Sequence, residues 1–249
     1  MPREQTTIDV NCDLGESFGA WSFGDDADLL PFVSSVNVAC GFHAGDPRAM
    51  RLSCELASAA GVNIGAHPGY RDLAGFGRRA IEVDSLTVRD ETTYQVGALV
   101  AIAHGVGARV GHVKPHGALY HAVASEEAAA EAFVEGVRAV GQELEIVGPA
   151  GSALERAAAA ADLRFVREGF ADRAYDPAGG LVPRGEPGAT LGPDAAAAQA
   201  LHLATHAAVS GINTICIHGD TAVALEAARA VHGKLTGAGI EIGRWSHAA

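Results

Sequence analysis

The chain has 249 residues, 48% of them hydrophobic and 19% charged, with a net charge of −12. That length buries a full core and suits a single domain if the fold is an α/β barrel or a large doubly wound sheet. The acidic balance argues against nucleic acid as the main partner, because phosphate binding needs clustered Lys and Arg. The opening MPREQTTIDV lacks an apolar stretch of signal-peptide length, and no run of about 18 apolar residues is present to span a membrane. Cys12, Cys40, Cys54 and Cys216 form no CxxC pair and read as small buried hydrophobes, so the expected setting is the reducing cytoplasm.

Short runs rich in Val and Ile predict seven strands, at 6–11, 33–39, 62–66, 108–114, 143–148, 163–169 and 212–218. Their near-continuous apolar character suits strands covered on both faces. Helical patterns lie between them, at 47–61, 85–107, 126–141, 152–162, 194–211 and 221–239. The first has Asp46 as N-cap, Pro47 at the first helical position and Gly61 just past its end. Ala-rich composition supports the rest. Strands alternating with helices imply right-handed crossovers and a mainly parallel sheet in one domain. Periodicity alone does not choose a closed barrel over an open sheet. Two segments fit neither pattern: 68–80, rich in Gly and Arg, and 172–193, a Gly/Pro-rich loop of the length used for lids and binding loops.

Ligands bind at the carboxyl ends of parallel strands, and the polar residues of this chain gather there. The first end presents Asn11, Asp13 and Glu16; the second His43 and Asp46; the third His67; the fourth Lys114 and His116. The sixth presents Glu168, Asp172 and Arg173, and the seventh His218 and Asp220. Asp46 and Asp220 also suit plain N-caps, and His218 suits a buried structural histidine. Imidazoles with carboxylates serve either a divalent metal or metal-free acid–base catalysis. Lys114 at a strand end could balance carboxylates, bind an anionic substrate or form a Schiff base. Arg78, Arg79, Arg173 and Arg184 in the two odd loops suit a carboxylate or phosphate. HExxH, the P-loop, GxGxxG and the GxSxG elbow are absent.

The words NCDLGE, ACGFHAGD, GAHPGY, GFGRR, VKPHGALY, FADRAY, LVPR and CIHGD run through the chain from about residue 8 to 239. In kind and order they resemble the LamB/YcsF family. The resemblance implies a seven-stranded β/α barrel akin to the polysaccharide-deacetylase and glycoside-hydrolase group. It also implies action with two further subunits, B and C, cleaving 5-oxo-L-proline to L-glutamate with ATP and water. The partners would then handle most of the ATP and activate the lactam, consistent with the missing P-loop, while this chain opens the ring. On that reading Asp13 or Glu16 and a histidine activate water. The remaining histidines, or a metal held by Asp13, His43 and His67, polarise the amide, while Lys114 and an arginine bind the substrate's anionic group. A stand-alone metal-dependent deacetylase or amidohydrolase, a homo-oligomer and a non-catalytic binding subunit stay open.

Overall fold

Seven parallel strands close on themselves in the computed structural model, which describes residues 7–22, 26–220 and 223–245. They are β1 (Thr7–Leu14), β2 (Ser35–Ala39), β3 (Asn63–His67), β4 (Val110–Val113), β5 (Glu145–Pro149), β6 (Phe165–Phe170) and β7 (Thr214–Ile217). Each pairs with the next, and β1 also pairs with β7 through Asp9↔Thr214 to Cys12↔Ile217. That last pairing selects the barrel over the open sheet. A two-residue β8 (Glu241–Ile242), not anticipated from the sequence, pairs with the first residues of β1.

The longer helices pack around this barrel. They are α2 (Pro47–Ala59), α3 (Ser85–Gly105), α4 (Gly117–Ser125), α5 (Glu127–Ala139), α6 (Ala153–Ala160), α7 (Pro193–Thr205) and α9 (Ala224–Gly237); α1 (Asp26–Leu29) and α8 (Ala207–Ser210) are single turns. Asp46 caps α2 by accepting from the backbone of Arg48 and Ala49, and Gly61 follows with φ +70°. The segment 194–211 is not one helix. Thr205 and His206 turn their side chains back onto the carbonyls of Leu201 and His202, and the helix breaks there. The helix expected from 221 opens at Ala224, and residues 221–222 lie outside the described set. No helix among the described residues is long and apolar enough to cross a membrane.

Side chains alternate across each strand, and on β1 the alternation divides two environments. Ile8, Val10, Cys12 and Leu14 join the apolar layer under the helices; each large aliphatic buried there stabilises the fold by about 1.5–3 kcal/mol. Asp9, Asn11 and Asp13 enter a polar interior instead. Thr214 donates to Asp9, Asn11 donates to Thr214 (2.7 Å) and Glu168 (3.1 Å), and Asn37 donates to Asn11 and Asp13. His112 closes the set on Asn37 at 2.9 Å. The hydrogen bonds run without a break from Asp9, near the bottom of the barrel, to Asp13 at its mouth. The period-two pattern of IDVNCDL carries the signal for this interior, although the run reads at first as merely apolar.

Candidate active site

A cavity of about 380 Å³ opens at the carboxyl ends of the strands. Asp13, His67, Lys114, His116 and His218 line its floor, and Arg78 and the Leu181–Arg184 stretch wall it. The 172–193 segment is a folded loop rather than a loose insertion. Its ends pair through Arg173↔Thr190 and Tyr175↔Leu181. The buried Arg173 donates to the carbonyls of Val182 (2.6 Å) and Ala189 (3.3 Å), so its guanidinium staples this loop.

Lys114 lies at the centre of the floor. Its ammonium is 2.8 Å from Glu168 Oε1, 3.3 Å from Asp13 Oδ1 and 3.0 Å from Cys216 Sγ. Burial works against the charge, but Asp13, Cys216 and Glu168 outweigh it and hold Lys114 well above the ordinary lysine range. A lysine so paired is neither a Schiff-base nucleophile nor a free anchor for a substrate anion. Asp13 shows the converse. Burial alone would raise it, yet His67 and Lys114 keep it well below the usual carboxylate range.

Three imidazoles and Glu16 pack beside Asp13. His67 Nδ1 donates to the Lys114 carbonyl (2.7 Å), and His116 Nε2 donates to the Phe76 carbonyl (2.8 Å). The other nitrogens of the two rings face each other at 3.0 Å. His43 stacks on His116 with centroids 3.7 Å apart, and neither of its ring nitrogens has a hydrogen-bond partner. Burial and the neighbouring imidazoles push both His43 and His116 well below the usual range. Glu16 Oε1 lies 3.7 Å from His43 Nε2 and 3.8 Å from His116 Nδ1. Burial, then Asp13 and Asp220, raise its carboxyl well above normal. Two glycines permit this packing. Gly77 and Gly117 adopt φ of +63° and +57°, and a Cβ on Gly77 would stand 2.6 Å from His43 Cβ.

Across the floor, Asp172 accepts from His218 at Nδ1 (2.9 Å) and at the backbone NH (3.0 Å). Burial would raise Asp172, but His218 outweighs it and the carboxyl stays below its ordinary value. The His218 ring stacks on Phe170, which leaves Nε2 for a ligand. An Asp13 oxygen and a His218 nitrogen lie within 4.8 Å of each other. At the rim, Asp220 pairs with Arg78 (2.5 Å) and Arg184 (3.8 Å).

The structure therefore gathers Asp13, Glu16, His43, His67, Lys114, His116 and His218, with Asp172, Arg78 and Asp220 adjoining. Asn11 and Glu168 support Lys114 from inside the barrel. Asp46 and Arg79 stay apart. Both Asp46 oxygens serve backbone NH groups of Arg48, Ala49 and Gly19, and Arg79 grips Asp72 from an exposed position. Sequence reasoning did not single out Asn37, Phe170, Tyr120 or Cys216. Asn37 was legible as the lone polar residue inside VNVA, and Tyr120 as the residue one helical turn past His116.

A closed parallel barrel with acid–base side chains at the carboxyl ends of its strands is the architecture of a β/α-barrel enzyme. Residues 8–249 match the LamB/YcsF family, and the chain belongs to that family. A Nocardia farcinica protein named as the 5-oxoprolinase A subunit is 51% identical over 244 residues, covering 94% of this chain and 98% of its own. A Bradyrhizobium diazoefficiens protein named as 5-oxoprolinase A subunit 2 is 47% identical, covering 98% of this chain and 99% of its own. Among solved structures, the lactam utilization protein from Thermus thermophilus superposes with a TM-score of 0.87 at 40% identity, covering 96% of this chain and all of that one. The catalytic domain of a peptidoglycan N-acetylglucosamine deacetylase from Eubacterium rectale shares the fold alone, with a TM-score of 0.55 at 8% identity, covering all of this chain and 92% of that one.

Proposed function

We propose that this chain opens the lactam ring of 5-oxo-L-proline to give L-glutamate, together with the B and C subunits of 5-oxoprolinase, in the cytoplasm. The names of its relatives support the substrate and the assembly. The observation that carries the chemistry is the opposition of two proton-handling groups across one floor: Asp13 beside Lys114, and His218 on Asp172. Asp13 stays ionised and accepts a proton from the attacking water. The water oxygen bonds to the lactam carbonyl carbon. His218 enters the step as an imidazolium, with one proton on Nδ1 toward Asp172 and the other on Nε2. It then delivers the Nε2 proton to the ring nitrogen as the C–N bond breaks, while Asp13 keeps the proton taken from water. Asp172 fixes the ring so that the other nitrogen meets the substrate.

A lactam amide resists water, so the carbonyl needs activation. The B and C subunits supply it at the expense of ATP, which suits a chain without a P-loop. The cluster of Glu16, His43, His67 and His116 could hold a metal ion, which when bound would polarise the carbonyl. Arg78 and Arg184 share the single carboxylate of Asp220, and the surplus guanidinium charge at the rim receives the substrate carboxylate.

The test is glutamate release from 5-oxoproline and ATP, with and without the two partners. Asp13→Asn and His218→Ala should each lower turnover by about 10²–10⁴ while the far-ultraviolet spectrum stays native. Turnover close to wild type in both variants sinks the assignment. Hydrolysis by the isolated chain without ATP would instead mark a stand-alone amidohydrolase.

A further inference from the structure

The two facing nitrogens of His67 and His116 pose a proton-counting problem. A backbone carbonyl only accepts, so Nδ1 of His67 and Nε2 of His116 must carry the protons. A neutral imidazole has one N–H. With both rings neutral, the facing nitrogens, 3.0 Å apart, are lone pairs pointed at each other, and Asp13 Oδ1 stands as a further acceptor 3.3 Å from His67 Nε2. His43 is 1% exposed and adds a third ring without any hydrogen-bond partner. Buried polar atoms in native folds are nearly always satisfied, so orphans grouped within 4.8 Å of one another need a missing partner.

We infer that Glu16, His43, His67 and His116 form the seat of one divalent transition-metal ion of the zinc class. One donor atom from each of the four lies within 4.8 Å of the others. The separations of 3.0, 3.7 and 3.8 Å bracket the roughly 3.3 Å edge of a tetrahedron whose metal–ligand bonds are about 2.0–2.1 Å. The Lys114 and Phe76 carbonyls already orient His67 and His116 from behind, as outer partners do at histidine metal sites. Three imidazoles and one carboxylate suit zinc or cobalt better than magnesium or calcium.

This ligand set differs from the one expected from the sequence, because Glu16 and His116 take the place of Asp13. Asp13 Oδ1 already meets Asn37 (3.0 Å), Lys114 (3.3 Å) and His67 Nε2 (3.3 Å). The neighbouring trio of Asp13, Cys216 and His218 is also close-set, but the Lys114 ammonium already puts a positive charge there. The barrel mouth thus has two cationic positions: one filled by the protein's own lysine, the other built for an ion.

The experiment uses the full chain alone, without substrate, ATP or partners, so its outcome is separate from that of the proposed reaction. Chelator-stripped protein is titrated with Co²⁺ and with Zn²⁺, read by visible absorption and by calorimetry. The expected result is one ion per chain with the intense bands of low-coordinate cobalt. His67→Ala and His116→Ala should weaken binding by more than about tenfold, and Asp13→Asn should still take up one ion. Should the histidine variants fail to fold, ¹⁵N-imidazole spectra of the wild type decide, because added Zn²⁺ must shift the non-protonated nitrogens of both rings. No uptake by the wild type at micromolar metal, or uptake that survives both histidine substitutions, overturns the inference.

Discussion

Replacing Lys114 with methionine isolates the electrostatic centre of the site. Methionine keeps most of the apolar stem and removes the ammonium. Glu168 Oε1 at 2.8 Å and Asp13 Oδ1 at 3.3 Å then lose their shared counter-ion inside the barrel, where Lys114 is only 3% exposed. Removing one member of a buried ion pair costs about 3–5 kcal/mol, because the charge left behind stays desolvated. A chain of this size loses about 2–4 °C of melting temperature per kcal/mol, so Lys114→Met should melt roughly 10 °C below wild type. The decisive comparison is the double variant Lys114→Met/Glu168→Gln. It removes one stranded carboxylate and should recover a substantial part of the loss. Urea unfolding at neutral pH measures both. A single variant within about 1 kcal/mol of wild type, below that buried-pair cost, refutes the reasoning. So does a double variant no more stable than the single.

Asp9 supplies a pH prediction. Burial raises its carboxyl from 3.8 to about 6, against the opposing hydrogen bonds of Ser34, Ser35 and Thr214 and the charge of Arg244. The folded state therefore holds the proton more tightly than the unfolded chain. The stabilisation is full below pH 3.8 and is lost as the pH rises through about 6, a difference of roughly 3 kcal/mol. Asp9→Asn should remove that slope from urea titrations between pH 4 and 8; parallel curves for the two proteins would contradict it. Gly77→Ala places a methyl 2.6 Å from His43 Cβ and 2.9 Å from His116 Cδ2, at φ +63°. It should cost about 1–3 kcal/mol in backbone strain and, by displacing the imidazoles, about 10² in glutamate release. Unchanged turnover would show that the stack does not need its spacing.

The strand and helix order was legible because hydrophobic periodicity and caps such as Asp46 are local signals. Barrel closure was not, because it rests on the pairing of β1 with β7, some two hundred residues apart in the chain. The histidines were legible as candidates at strand ends, but their grouping depends on tertiary approach. His116 joins His43 only because two positive-φ glycines let the turns holding Gly77 and Gly117 pass close together, with Ala118 donating to the Gly77 carbonyl. Arg173 suits a substrate grip because charge in a loop resembles one, whereas the structure binds it to two carbonyls. Lys114 at a strand end suits either a substrate anion or a carboxylate balance, and its two carboxylate partners choose the second, a relation that no linear spacing encodes.

The staple made by Arg173 separates two design tasks within one cavity. The floor belongs to strands whose side chains are locked by the barrel, and a change there disturbs the reaction itself. The walls from Leu181 to Pro183 hang from a guanidinium that grips backbone carbonyls and ignores side-chain identity. Residues on that stretch can therefore be exchanged while the loop keeps its course. The shape of the entrance is free to drift over evolutionary time as the catalytic floor stays fixed, which gives this barrel a route to new ring substrates that leaves its chemistry intact.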